Sequence, residues 1–440
     1  MGCFKSYVIC AFALLVPILA DQPKIVCNYE TKAHLREGQG KFEVSDLDPA
    51  LDICTHLQYG YAAINDNTLK LVPLNEQYDV IKDNYRKITD LKSRHPKLKT
   101  LLSVGGNEDT TGEGNEKNLK YRELLESSTK RIAFANSAYT LVKSFGFDGI
   151  DLAWEFPENK PKKVHSTIGK LWKSFKKTFT GDSILDEKAA EHKDQFVALV
   201  RELKNAFKAD NFQVSLTVLP NVNSSLFYDP RNLAPNLDFV TIQCFDYYTP
   251  QRTPEIADYP APLYELIDRR PDENCDAQVK FWMQNGFPGS KILLGIPTYG
   301  RTWHLTSDAK VDSVPPEGLD GPGEAGPFTK ESGILSYPEI CMKVGNPHAA
   351  KSKPPSPTDF KIIPDATKKR GVYAYRLPTD NQQGIWIGYE SPETASIKAE
   401  YVKAKGLGGV ALDDLTLDDF KGVCGYNRYA ILQSVRTTLQ

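Results

Sequence analysis

Eight short runs rich in apolar and β-branched residues recur along the chain, at 24–29, 55–64, 99–106, 149–156, 212–219, 239–247, 291–297 and 409–412, with longer helix-forming stretches between them. Such alternation is the pattern of parallel strands joined by helical crossovers. Eight units of this kind predict an α/β fold, a (β/α)8 TIM barrel whose chemistry sits at the C-terminal strand ends. A chain of 440 residues holds that barrel with one insertion and requires no second core. The stretch from Arg301 to Arg376, between the seventh and eighth runs, is too long for a simple connection; it is rich in Pro and Gly and carries β-like pieces such as 371–375. The segment 345–371, crowded with Pro and Lys, reads as an exposed loop.

Charge narrows the partners little, and against nucleic acid: 54 basic and 56 acidic residues nearly cancel, so any recognition is local. At the N-terminus Lys5 precedes an apolar run from Tyr7 to Leu19 and a small residue, Ala20, which reads as a secretory signal over 1–20 cleaved before Asp21. The run falls short of the ~20 residues that span a bilayer, so a secreted, extracellular product without membrane insertion is expected. Outside the signal lie Cys27, Cys54, Cys244, Cys275, Cys341 and Cys424, in a compartment that permits disulfides but with connectivity open. Cys244 sits inside an apolar run and reads as a buried free thiol; Cys275 stays unassigned. No spacing suggests a metal site, and no glycine-rich phosphate loop or serine elbow suggests a cofactor or a hydrolase triad.

Asn223-Ser224-Ser225 is an acceptor sequence for N-glycosylation. Between Glu158 and Gly181 stand seven lysines and one acid, with His165, Trp172 and Phe175. A solvated loop is favoured there over a contact for an acidic partner or a sulfated glycan. Ser183 then opens a helix in which Phe196, Leu199, Val200, Leu203 and Phe207 recur at helical spacing.

The chemistry-bearing run is Phe147-Asp148-Gly149-Ile150-Asp151-Leu152-Ala153-Trp154-Glu155-Phe156-Pro157. If it is extended, Asp151, Ala153 and Glu155 share one face and point into one cavity, whereas Asp148 differs in parity and reads as structural. The run resembles the signature strand Asp-Gly-x-Asp-x-Asp-x-Glu of the chitinase-like glycoside hydrolases of family 18, matched by Asp148, Gly149, Asp151 and Glu155. In that family the substrate's acetamido oxygen attacks the anomeric carbon while the Glu protonates the leaving oxygen. The Asp that precedes the Glu by two orients the acetamido group and stabilises developing charge. Ala153 stands there and can do neither.

The resemblance covers about 24–425 and exposes two further departures. Gln243-Cys244-Phe245-Asp246 occupies the place of the family's Met-x-Tyr-Asp, so Asp246 is kept and Phe245 replaces the tyrosine that holds the acetamido carbonyl. In the segment around 408–420, Asp413 stands where a tryptophan floors the reacting sugar's subsite. The resemblance implies no competent catalytic set: Glu155, Asp151 and Asp246 become vestigial. Trp154, Asp413 and Trp386 are the candidates for contact with a sugar, and Trp154, Trp303 and Trp386 read equally as packing. It further implies disulfides Cys27–Cys54 and Cys341–Cys424, a barrel over 21–300 and 377–440, and a small α+β domain over 301–376 that deepens the groove.

The Lys-rich connection, the Pro-x-Asn-Lys-Pro of Pro157 to Pro161 and Ala153 together resemble the imaginal disc growth factors, insect chitinase-like proteins. That resemblance implies a secreted, monomeric growth factor promoting proliferation, polarisation and motility with insulin-like peptides. A cell-surface receptor or insulin-like signalling complex would be its partner, with a chito-oligosaccharide in the groove if the groove is retained. Two alternatives stand beside it: a weakly active chitinase working through Glu155, and a chitin-binding lectin of the cuticle.

Overall fold

In the computed structural model, which describes residues 22–112, 117–160, 186–267, 269–345, 360–367, 369–425 and 427–440, a parallel sheet closes on itself. Its strands are Lys24–Glu30, His56–Ile64, Lys99–Gly105, Gly149–Ala153, Gln213–Val218, Phe239–Ile242, Ile292–Pro297 and Gly409–Asp413, each paired with the next. The last also pairs with the first, Cys27 against Leu412. The fourth and sixth strands stop at Ala153 and Ile242, short of the expected 156 and 247, so Glu155, Phe245 and Asp246 lie on the loops above them. The signal at 1–20, most of the Lys-rich stretch, Ser183 and the middle of the 345–371 loop fall outside the described residues.

Alternation along the strands layers the barrel interior. Val26, Leu101, Phe239, Leu293 and Ala411 form an apolar floor. Two residues further along three of those strands come Asn28, Ser103 and Thr241, and beside them Gln58, Asp151, Ser215 and Thr217, all buried and all polar. The layer above opens to solvent and carries Glu30 and Asp413.

Helices shield the outer face. Ala189–Phe207 turns His192, Phe196, Leu199, Val200, Leu203 and Phe207 inward at a helical period, matching the expected apolar set. Pro392–Lys405 starts with a capping box between Ser391 and Thr394 and stops at Gly406, whose φ of 63° gives the left-handed turn. A second, antiparallel sheet runs from Tyr299–Lys310 through Glu317–Pro322, Ile334–Ser336, Lys361–Pro364 and Val372–Arg376 to Gly384–Tyr389, with helix Tyr337–Val344 against it. It sits in the chain between the seventh and eighth barrel strands.

Three disulfides tie the described chain: Cys27–Cys54, Cys341–Cys424 and Cys244–Cys275. The third corrects the reading of Cys244 as a free thiol. With the strand ending at Ile242, Cys244 lies on the loop, and its Cα comes within 5.0 Å of that of Cys275, the first residue of helix Cys275–Gln284. A sequence run of apolar residues hides this, because the partner is supplied by the next helix.

The chain from Asp21 onward, denatured without reductant, is accordingly expected to give no thiol reactive toward an aromatic disulfide reagent; two equivalents would restore the free-thiol reading. Replacing Cys244 and Cys275 together by Ala should lower unfolding stability by about 2–4 kcal/mol in a urea titration.

Candidate functional site

The signature strand delivers Asp151 into the polar layer with no solvent exposure. A carboxylate there survives only if hydrogen bonds replace water. Ser103 Oγ donates at 2.8 Å, Ser215 Oγ at 2.7 Å and Thr217 Oγ1 at 2.9 Å, so both oxygens are engaged by the neighbouring third and fifth strands. Burial raises its pKa, and those hydroxyls, with Gln58, oppose the rise. Asp148, on the other parity, takes the Thr100 amide at 2.8 Å and Lys92 Nζ at 2.9 Å outside the barrel. Burial would raise it, yet these partners and Lys99 hold it below the usual carboxylate range.

Ala153 follows as a buried methyl at the strand's last position. Glu155, beyond the strand end, is 2 % exposed and accepts a short hydrogen bond from Asn118 Nδ2, while its other oxygen has no partner. Its Cγ packs on Gly105, where a side chain would meet Ala153 O at 2.4 Å; only glycine, here with φ of 94°, lets the strand end and the Glu155 loop approach this closely. Burial, and then the negative charge of Asp109, push the Glu155 carboxyl up to about 7, against the Asp109 and Asn107 amides and Lys117. Asp109 is itself held by Lys120 at 2.7 Å and Tyr121 Oη at 2.9 Å.

A cavity of about 210 Å³ occupies the barrel mouth, and Glu155 is not among its lining residues. Phe245 forms one wall, its ring edge-on to Tyr299 at 6.3 Å. Asp246 accepts both Arg301 Nε at 2.9 Å and Tyr299 Oη at 2.7 Å. Asp413 accepts Asn28 Nδ2 at 2.7 Å. Burial, then the nearby Glu30 charge, push Asp413 up to about 8, and the same two causes push Asp414 up to about 7 against Arg36. The mouth thus joins an apolar wall to a dense set of carboxylates.

The two tryptophans expected at a sugar are elsewhere. Trp154 has no exposure and packs outside the barrel on Tyr121, Phe134 and Phe196; Trp386 is equally buried and packs on Trp303 and Tyr373 in the second sheet. Trp154 follows Ala153, the last and inward-facing residue of the strand, and turns outward onto the helices. Of the three, Asp413 alone lines the mouth. Asn223 caps helix Ser224–Phe227, with Oδ1 accepting the Ser225 and Leu226 amides at 3.1 and 3.2 Å. A larger cleft of about 1220 Å³ lies between the second sheet's helix and helices Pro392–Lys405 and Ala430–Leu439. It shares no lining residue with the mouth cavity at the strand ends, so the chemistry is assigned to the mouth. Among the described residues no His, Cys, Asp or Glu cluster is placed to hold a metal ion.

The model "Glycosyl hydrolases family 18" matches residues 24–418. The chain is 52 % identical to the chitinase-like protein Idgf4 of Glossina morsitans morsitans over 94 % of each sequence, and 50 % identical to imaginal disk growth factor 6 of Drosophila melanogaster over 94 % of this chain and 93 % of that one. This chain belongs to the Idgf chitinase-like proteins of glycosyl hydrolase family 18. Among solved structures it is similar to human YKL-39, described as a pseudo-chitinase with retained chitooligosaccharide binding, with a TM-score of 0.72 and 27 % identity over 95 % of this chain and 99 % of that one. The scaffold therefore carries both hydrolases and a non-hydrolase, and activity must be argued from the site.

Sequence reasoning missed Glu30, Asn118, Arg301 and Asp414. The adjacent acids at 413 and 414 are a visible signal for the last. Asn118 comes from a distant loop and Arg301 from the second sheet's first strand, and neither leaves a local trace.

Glu155 makes stability depend on pH with a definite sign. Between its ordinary 4.5 and its folded value of about 7, the folded chain keeps a proton that the unfolded chain has released, so this contribution falls as pH rises. Glu155→Gln should gain on the wild type by up to about 3 kcal/mol in urea titrations between pH 4 and pH 8. A difference independent of pH would mean that Glu155 titrates normally.

Proposed function

We propose that this Idgf-type chain is a secreted, catalytically inactive chitinase-like growth factor that keeps a ligand-sized mouth. The observation that carries the inactive reading is Ala153: a methyl stands between an Asp151 already saturated by three hydroxyls and a Glu155 turned to Asn118. Nothing at 153 can orient an acetamido group or stabilise the positive charge of its attack. Phe245 removes a donor for the acetamido carbonyl, and Asp413 puts a carboxyl where an indole would cover the sugar ring. Losses of this kind cost about 100-fold or more each in related electrostatic sites, though they do not simply add.

The growth-factor part is supported by the names of the relatives, imaginal disk growth factor 6 among them. The apolar run before Asp21 and the acceptor at Asn223 support secretion and glycosylation, with a receptor or insulin-like signalling complex as partner. One observation favours a second reading, a slow chitinase: Glu155 has the raised pKa of a general acid.

Purified protein is expected to release no product from a fluorogenic chito-oligosaccharide, with Glu155→Gln indistinguishable from it; release abolished by Glu155→Gln would establish the chitinase. Added to insect imaginal disc cells with insulin, the protein and Glu155→Gln should raise cell number equally.

A further inference from the structure

Two neutral polar side chains that line the barrel mouth are left without partners, and both stay open to the cavity. Gln243, 7 % exposed, stands just past the end of the sixth barrel strand, and its carboxamide makes no hydrogen bond to any described residue. Tyr61, also 7 % exposed, comes from the second strand, and its Oη likewise has no hydrogen-bond partner among the described residues. Neither is among the unpaired polar atoms sealed inside the protein. The charges that bear on the Tyr61 hydroxyl are those of Glu30, Asp413, Asp414 and Glu108, all on the walls of this cavity, so the hydroxyl is aimed into it. Polar groups on side chains this deeply buried normally find a partner. Two of them on one small cavity point to a ligand that supplies it.

Shape and chemistry limit what that ligand is. At about 210 Å³ the cavity is below the ~300 Å³ at which pockets enclose drug-sized molecules, so one ring-sized group enters, with the Phe245 ring as an apolar wall. Beside it, Asp413 has its Oδ1 taken by Asn28. Burial and then the Glu30 charge push this carboxyl up to about 8, so in neutral solution it presents an acid O–H and not a charge. A hydroxyl, a carboxamide and a protonated carboxyl each give and take hydrogen bonds, and their complement is a ring whose substituents all do both, as sugar hydroxyls do. An ammonium only gives. An acetamide gives once and takes once, and adds a methyl group that would desolvate these partners without pairing them. We propose that the mouth takes one neutral hexose ring with a free hydroxyl at C2, in preference to a 2-acetamido ring of the same linkage, and that Gln243 and Tyr61 are the side chains that set this specificity. This rests on the non-hydrolytic reading above and names its ligand class.

The test is calorimetry of three β-1,4-linked tetramers that differ only at C2, those of glucose, N-acetylglucosamine and glucosamine, on the full protein at pH 6.5, with free sugar products assayed in the same samples. The glucose tetramer should bind at least about five times tighter than either of the others, and its affinity should change little between low and high salt, because no charge is paired. Tyr61→Phe removes one oxygen that bonds to no described residue, and it should weaken the glucose tetramer by about 3- to 10-fold with the unfolding midpoint unchanged. Gln243→Leu, on another strand, should do the same. Equal or tighter binding of the acetylated or the amine tetramer, no binding of any, or a glucose-tetramer affinity that both variants leave unchanged overturns the proposal while leaving the non-hydrolytic reading in place. Cleavage of the acetylated tetramer overturns that reading, and the proposal with it.

Discussion

A carboxylate with no exposure to water stands at the centre of the barrel, and the placement of the functional residues depends on how it is satisfied. Asp151 draws hydroxyls from the third and fifth strands onto its own, at 2.7 to 2.9 Å. It thereby fixes the register of three strands at the level just below the mouth: Ser103 and Ser215 are its lateral partners in the sheet. Oδ2 accepts two of the hydroxyls and Oδ1 only that of Ser215, so removing Ser215 would take from Oδ1 its one hydroxyl in a low-dielectric interior, which costs more than the lost bond itself. The polar middle layer is thus a structural necessity once Asp151 is present, whatever the mouth above it does. This lets the fold outlast a change of chemistry.

The mouth shows what such a change consists of. Hydrolysis with an acetamido nucleophile asks for a dry, aromatic-floored pocket and donors aimed at one carbonyl. On the proposed reading, Phe245 and Ala153 stand where donors and charge would be needed, and Asp413 where apolar cover would be needed. Burial and then the Glu30 charge raise the cost of ionising Asp413 and Asp414, so the two adjacent acids are both pushed up. Arg301 and Tyr299 on the inserted sheet clamp Asp246, so one wall of the mouth is built by the insertion itself.

The barrel was legible because its signal is repeated: eight apolar runs each identify a strand, and an error at one end, as at Ile242, leaves the others intact. The signature strand was legible because a period of two assigns faces directly, which places Asp151 inside and turns Trp154 outward. Parity also shows why Trp154 belongs to the outer core, although its aromatic character suggested a sugar contact. What stayed hidden depends on pairs brought together by folding. Cys244 meets Cys275 only because the strand ends early and a helix begins beside it. Asn118 meets Glu155, and Arg301 meets Asp246, across loops whose course no local pattern records.

Glu155 illustrates why a perturbed acid is weak evidence for catalysis. A pKa of about 7 is what a general acid needs, and burial beside Asp109 supplies it. Yet burial supplies it for any carboxyl enclosed in an apolar or crowded setting, with or without a substrate to protonate. A competent acid must also reach the leaving oxygen, and Glu155 points its bonded oxygen at Asn118, behind the lining of the mouth cavity. Geometry takes precedence over acidity, so the raised pKa reads as the consequence of a carboxyl enclosed beside Asp109 and bonded to Asn118.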